Sequence, residues 1–456
     1  MLRSGAATMP ATDPLAFPTM RTALLRLLLG AAASAALLAG CGGGDVSPNA
    51  GDVRLVNATS DTLDLYADSD RLSDDVAPST AGNYEDLNKG SYTFSVRGGV
   101  AGATVATLAQ TLEKNGRLSL IAYTNAGTSA LAAIDEAEDR PDKGSAKIRF
   151  FNTASTDSGA VDAYLIASGA PCSNLPSAIA SGIADLQATF IELAPSIPAP
   201  YQFRLCVTAA GDPTDVRLAS DITIGDREVV TIVLTRTAGA VLLNGTLVVQ
   251  DGGVAQAANA SARVRLAVGV GTGKVSASFD TASTSTSLGS DVGAPSVGTY
   301  RLVPTGTSLS VTWTGGTVAV PAVVLTGGAD YTLLVTTDTP AATTATATLL
   351  SDDNSLSTNT AKPNRVRLVH GATTTSVLSM TVGTNPVDNV AHGTASGYIL
   401  AEASGATQTT VTVRQGTTIL CTGTQALSAT VYSVFALGNL DGTPGTAGPC
   451  IVVNDR

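Results

Sequence analysis

The stretch RVRLVHGATTTSVLSMTV, residues 365–382, decides how the chain is read, because its plan is written three more times. DVRLVNATSDTLDLYAD (52–68), KIRFFNTASTDSGAVDAYL (147–165) and RVRLAVGVGTGKVSASFD (263–280) each give an apolar-Arg-apolar run, a polar turn and a second alternating run. The equivalent arginines, Arg54, Arg149, Arg265 and Arg367, are spaced by 95, 116 and 102 residues. A fixed period of that length marks one domain per copy rather than a short solenoid repeat.

The match continues down each copy. DVAPSTAGNY (75–84), DVGAPSVGTY (291–300) and NVAHGTASGY (389–398) align without a gap, and SGIADLQATF (181–190) is a looser relative. After them come an alternating strand, a hairpin and a closing apolar strand that ends near an acid or amide: LAAIDEAED, LVVQDGG, LLSDDNS and IVVND. A period of two, β-branched residues and Gly/Asn/Asp turns predict strands throughout, and no segment carries a capped helical stripe. About 100 residues with roughly seven short strands have the size and rhythm of an immunoglobulin-like β-sandwich. The expectation is therefore an all-β chain of four tandem immunoglobulin-like β-sandwich domains: 52–143, 144–260, 261–362 and 363–456. The 19 aromatic residues leave each core to Val, Leu, Ala and Ile. AEDRPDKGSA, GGVAQAANAS and DDNSLSTNTAKPN read as polar joints, which pictures four beads on a string.

The opening apolar-Arg-apolar-apolar-Asn/His strand, the DLY and DAY of Asp64–Tyr66 and Asp162–Tyr164, and the later G-x-Y entry carry a resemblance. They are similar to the bacterial domain-of-unknown-function family 4397 (DUF4397), found in tandem in envelope lipoproteins. The resemblance spans nearly all of residues 52–456 and is weakest in the second copy, where the insertion around Cys172 departs from the pattern. It implies a fold and an envelope setting, and no catalytic residue.

The N-terminus places the chain. Arg21 and Arg26 precede a short apolar run, Leu27–Ala39, and then Gly40 and Cys41. That run is shorter than the ~20 residues needed to cross a bilayer, so residues 1–40 read as a cleaved signal peptide, with Met20 as the start. Resemblance to lipoprotein signals implies that Cys41 is acylated and that Gly42 sorts the chain to the outer membrane of a Gram-negative bacterium. Residues 41–51 read as a flexible tether. Loss of residues 1–40 removes three arginines and one aspartate and shifts the formal charge from −11 to −13, which argues against nucleic acid as a partner. The expected partners are the lipid bilayer through Cys41 and envelope proteins or surface glycans. Four cysteines remain, an even number for an oxidising compartment. Their clustering suggests Cys172 with Cys206 and Cys421 with Cys450, although three pairings exist.

Chemical candidates are few. His370 and His392, the two histidines of the chain, both fall in the fourth copy, where they would have to serve any Ser-His-Asp triad or metal pair. His370 aligns with Asn57, Asn152 and Val268, so it is first a substitution in a repeat. GVGTG (269–273) invites a phosphate-loop reading, but the strand-like KVSASFD follows it where a helix N-terminus is required. Asp61, Asp64, Asp68, Asp70, Asp74 and Asp75 crowd one loop region without EF-hand spacing, which leaves calcium the minor reading and a solvated loop the major one. The four arginines sit opposite Val53 and Leu55 and their equivalents, so each guanidinium is expected to meet solvent or a nearby carboxylate, as a structural ion pair, an edge-protecting charge or, less favoured, a ligand-facing row. No cofactor is implied, and the expected role is non-enzymatic binding, adhesion or scaffolding, with a carbohydrate- or calcium-binding receptor as the alternative.

Overall fold

Alternation in the repeated stretch becomes strand pairing in the same way four times. In each copy the opening strand (Ala50–Asn57, Ala146–Asn152, Ser261–Gly269, Asn364–Ala372) runs parallel to a partner strand (Arg117–Asn125, Val229–Arg236, Asp330–Thr336, Val431–Gly438). The partner strand pairs antiparallel with the closing strand (Thr128–Asp135, Leu243–Val249, Thr344–Asp352, Ile451–Asn454). These three lie side by side in a back sheet, the closing strand at its edge in the first and fourth copies. A front sheet covers it; in the first copy Leu63–Ala67 lies between Asp70–Val76 and Gly90–Gly98, with Ala103–Leu112 outermost. The second and fourth copies keep that order. The third has a three-stranded front sheet, because Thr317–Ala319 joins its closing strand in the back sheet instead.

The computed structural model describes residues 49–98, 102–125, 127–187, 189–195, 197–404, 408–440 and 450–456. Residues 1–48, on which the expected signal peptide, Cys41 and most of the expected tether fall, lie outside them. Among the described residues the chain is a tandem β-sandwich protein with one four-residue helix, Ser155–Ser158, and no helix long and apolar enough to cross a membrane.

Each sandwich is filled by the inward residues of its two sheets. Val53 and Leu55 meet Leu65, Phe94 and Val96 in the first copy, and Val264 and Leu266 meet Phe279 and Trp313 in the third. Branched aliphatics dominate, as the low aromatic content predicts. The disulfides Cys172–Cys206 and Cys421–Cys450 are formed, the pairing that sequence clustering suggests.

The bead-like arrangement does not hold, because the back sheets are buried on both faces. Val56, Ile121 and Ile134 of the first copy pack on Phe151, Val233 and Val248 of the second. Ala267 and Leu334 of the third pack on Val369, Phe435 and Leu437 of the fourth. The repeats thus stand back to back in two pairs. At the crossing of the third and fourth opening strands a Cβ on Gly269 would run into the carbonyl oxygen of Gly371, so only glycine permits this approach. The stretches read as joints take part in the structure: Val254–Ala257 extends a back sheet, and Ala146 and Asp352 are buried.

Candidate functional site

The repeat-equivalent arginines define one built polar site, written four times. In the parallel register Arg54 lies opposite Ser119, Arg149 opposite Thr231, Arg265 opposite Thr332 and Arg367 opposite Ser433. Each Nε donates to that hydroxyl, at 2.7, 3.0, 2.9 and 2.9 Å respectively. Each guanidinium also lies over an aromatic ring from the G-x-Y entry: Tyr84, Phe190, Tyr300 and Tyr398. Strand alternation sends these arginines outward from their own sandwich, and that outer face is where the paired back sheets meet. Of the two expected surroundings, solvent and a carboxylate, solvent does not hold: Arg54, Arg265 and Arg367 are 2%, 1% and 2% exposed, and Arg149 is 8% exposed.

The carboxylates come from the ends of the closing strands. The hydroxyl residues pair with Ile134, Val248, Leu350 and Val453, and two residues further on stand Glu136, Gln250, Asp352 and Asp455. In the third and fourth copies the acids are exchanged. Arg265 Nη1 donates to Asp455 Oδ1 at 2.6 Å, and Arg367 Nη2 donates to Asp352 Oδ1. Thr332 and Ser433 hydroxyls donate to Asp352 and Asp455, both at 2.6 Å, so each carboxylate is held by its own copy while neutralising the other's arginine. Burial lowers the pKa of Arg265 and Arg367, but the facing tyrosines and carboxylates outweigh it and the net shift is upward. Burial also raises Asp455, against the pull of Arg265.

The first pair is built differently. Arg54 keeps its acid within its own copy, Glu136 at 2.7 Å, and reaches across to the backbone carbonyls of Val249, at 3.0 Å, and Gly252. Arg149 reaches back to the carbonyl of Asp135 at 2.9 Å and has no ion pair among the described residues, because Gln250 occupies the acid position. Burial accordingly lowers the Arg149 pKa. The phenol disappears with the acid. Tyr84 and Tyr300 donate to Glu136 and Asp352, whereas the second copy has Phe190 beside Gln250. A phenol that donates to a carboxylate loses its acceptor when the acid goes, so the paired change leaves no hydroxyl unsatisfied.

His370 and His392 do come together, with ring centroids 5.3 Å apart and edge to face. His370 is fully buried, and burial lowers its pKa to about 4, so it is neutral. Its Nε2 lies 2.9 Å from the Ser376 carbonyl, and Nδ1 accepts the amide of Ala372 at 3.4 Å. Asn57 and Asn152 make the same pair of contacts. Their Oδ1 atoms accept the amides of Thr59 and Ala154, two residues on, and their Nδ2 atoms donate to loop carbonyls. His370 therefore stands in for an amide and fastens the turn after the opening strand. His392 Nδ1 lies 3.3 Å from Asp338 Oδ1.

The remaining candidates resolve locally. GVGTG is the turn after the third opening strand, followed by the strand Lys274–Asp280. In the acidic region Asp64 Oδ1 accepts the amide of Asp75, Asp68 Oδ1 accepts that of Thr93, Asp70 Oδ1 accepts from Ser69, and the carbonyl of Asp61 accepts from Asn57. Among the described residues no group of three His, Cys, Asp or Glu is arranged to hold a metal ion. Asp64 and Asp162 share a role, since Asp162 Oδ1 accepts the amide of Gly182 on the neighbouring strand. The arginine, hydroxyl, acid and tyrosine quartet escaped sequence reading, although its four members stand at fixed places in the first, third and fourth copies and the arginine and hydroxyl also in the second.

Residues 51–164 match the family model described as "Domain of unknown function (DUF4397)", a span that covers the first sandwich and enters the second. No curated protein matches the chain. The solved structure of the Bacillus anthracis TIE protein aligns with 85% of this chain and 67% of its own at 9% identity and a TM-score of 0.14, too low to carry an argument. The family match, falling on the copy that holds Arg54, Tyr84 and Glu136, makes this a DUF4397-containing protein.

Proposed function

We propose that the protein is a non-enzymatic lipoprotein of the cell envelope, anchored through acylated Cys41 to the outer membrane of a Gram-negative bacterium, whose paired sandwiches serve as a stiff binding or scaffolding module. The observation that supports this reading best is the use made of the chemistry-bearing side chains. All four repeat arginines are spent on joining sheets, and His370 is spent on a turn. Two repeats locked back to back keep their outer surfaces in fixed relation, which is what a spacer or multivalent binder needs, because avidity depends on geometry. The acidic surface favours neutral or basic partners over nucleic acid.

The test is cross-linking on intact cells with mass-spectrometric identification of neighbours, beside metabolic labelling with an alkyne fatty acid. The expected result is label on the wild type, none on Cys41→Ala, and cross-links to envelope proteins or glycans. Unlabelled wild-type protein with only cytoplasmic neighbours would contradict the reading.

A further inference from the structure

The back-to-back pairing of the first two repeats leaves a cleft of about 520 Å³ where they meet the third. That is ample for a small ligand. Its wall is unlike the rest of this acidic chain: hydroxyl and amide side chains line it, Thr124 and Thr235 beside Thr246, Asn244 and Gln256, of which the last three also hydrogen-bond within the fold, and among the described residues no Asp or Glu does. The other large hollows are lined by acids, Asp330, Asp352 and Asp353 in one and Asp61, Asp64 and Asp75 in another. The one cation in the wall, Arg236, is already matched by the buried Asp157 at 3.3 Å. The site is thus polar without net charge. Its walls are fixed to each other, since Gln256 Nε2 of the second repeat donates to the Ser79 carbonyl of the first at 3.0 Å.

We propose that this cleft binds a neutral glycan segment. A sugar presents hydroxyls that both donate and accept, and a wall of threonine hydroxyls and amides answers both roles, whereas an anion would find no unmatched cation and a cation no carboxylate. Among the described residues no aromatic ring lines the wall, so the contacts are hydrogen bonds exchanged against water, each of small net worth. The inference rests on the binding side of the reading above and gives it a ligand class. It also moves the site away from the acidic loop of the first repeat.

The test is saturation-transfer NMR on the full chain in lipid nanodiscs, with maltose, N,N′-diacetylchitobiose and galactobiose as probes. The comparison is Thr124→Val combined with Thr235→Val, which removes two hydroxyls without changing side-chain shape. At least one probe is expected to saturate the wild type, and the double variant to bind it at least tenfold more weakly at an unchanged melting temperature. No saturable transfer from any of the three, or equal transfer in both proteins, overturns the proposal. A chain that still cross-links to envelope neighbours yet takes up none of these sugars keeps the scaffold and loses the cleft.

Discussion

Arg265 and Asp455 stand 190 residues apart in the chain and 2.6 Å apart in the fold, joining the third repeat to the fourth, while Arg367 and Asp352 make the reverse connection. Removing one member of a fully buried pair leaves the other charge poorly compensated, since Arg265 without Asp455 keeps only the longer contact to Asp352 at 3.7 Å. We predict that Arg265→Met or Asp455→Leu alone costs about 3–5 kcal/mol, while the double variant costs less than the sum of the two. Denaturant unfolding of the four proteins measures the coupling, and strict additivity would refute the pairing.

His370 gives the fold an acid sensitivity whose sign is fixed. Its folded pKa, about 4, lies below the ordinary value of 6.5, so the unfolded chain takes up the proton first. Stability is then fully present above the unfolded value and declines as pH falls from about 6.5 toward 4, by up to about 3 kcal/mol. His392, also lowered by burial, acts in the same direction. His370→Asn restores the residue used at 57 and 152 and is expected to fold normally with a flatter stability profile over that range. Parallel profiles for wild type and variant would show that the imidazole does not titrate in this window.

The Cys421–Cys450 bridge ties the front sheet of the fourth repeat to the residue just before Ile451–Asn454, the strand that positions Asp455. Closing a loop of this size stabilises by about 3–4 kcal/mol in the chain-entropy picture. In Cys421→Ser/Cys450→Ser, hydrogen exchange is expected to speed up first in the closing strand and then across the interface in Ser261–Gly269. Unchanged protection in the third repeat would separate the bridge from the arginine network.

Gly269→Ala adds one methyl where the opening strands of two repeats cross. Because the added Cβ meets the Gly371 backbone rather than a movable side chain, the sheets must part. A loss of about 2 kcal/mol or more is expected, against under 1 kcal/mol for Gly253→Ala, whose Cβ position is open. Thermal melts compare the two, and equal effects would rule out the close approach.

The strands, the aliphatic cores and the disulfide partners were legible because each is written locally, in a period of two, in composition or in spacing. The pairing of the repeats was not, and the reason lies in one assumption about the second face of each back sheet. Leu55–Val56, Phe150–Phe151, Leu266–Ala267 and Leu368–Val369 place apolar residues on both faces, and the partner strands VTIVL and TLLV are nearly continuous apolar runs. That pattern belongs to sheets covered on both sides. An arginine amid such runs reads equally as meeting solvent or a carboxylate, because its acid, Asp455 for Arg265, sits in another repeat at the far end of the chain. Strand periodicity carries no information about a partner at that distance. His370 was recognisable as an asparagine substitute from alignment alone, but the hydrogen bonds that make the substitution work appear only in the folded turn.

Differential scanning calorimetry of the wild type and Arg367→Met tests the central claim, that buried arginines lock the repeats in back-to-back pairs. The account predicts that the third and fourth repeats melt in one cooperative transition, which the substitution lowers and splits. Four independent transitions in the wild type, with only the fourth repeat shifted by Arg367→Met, would contradict it.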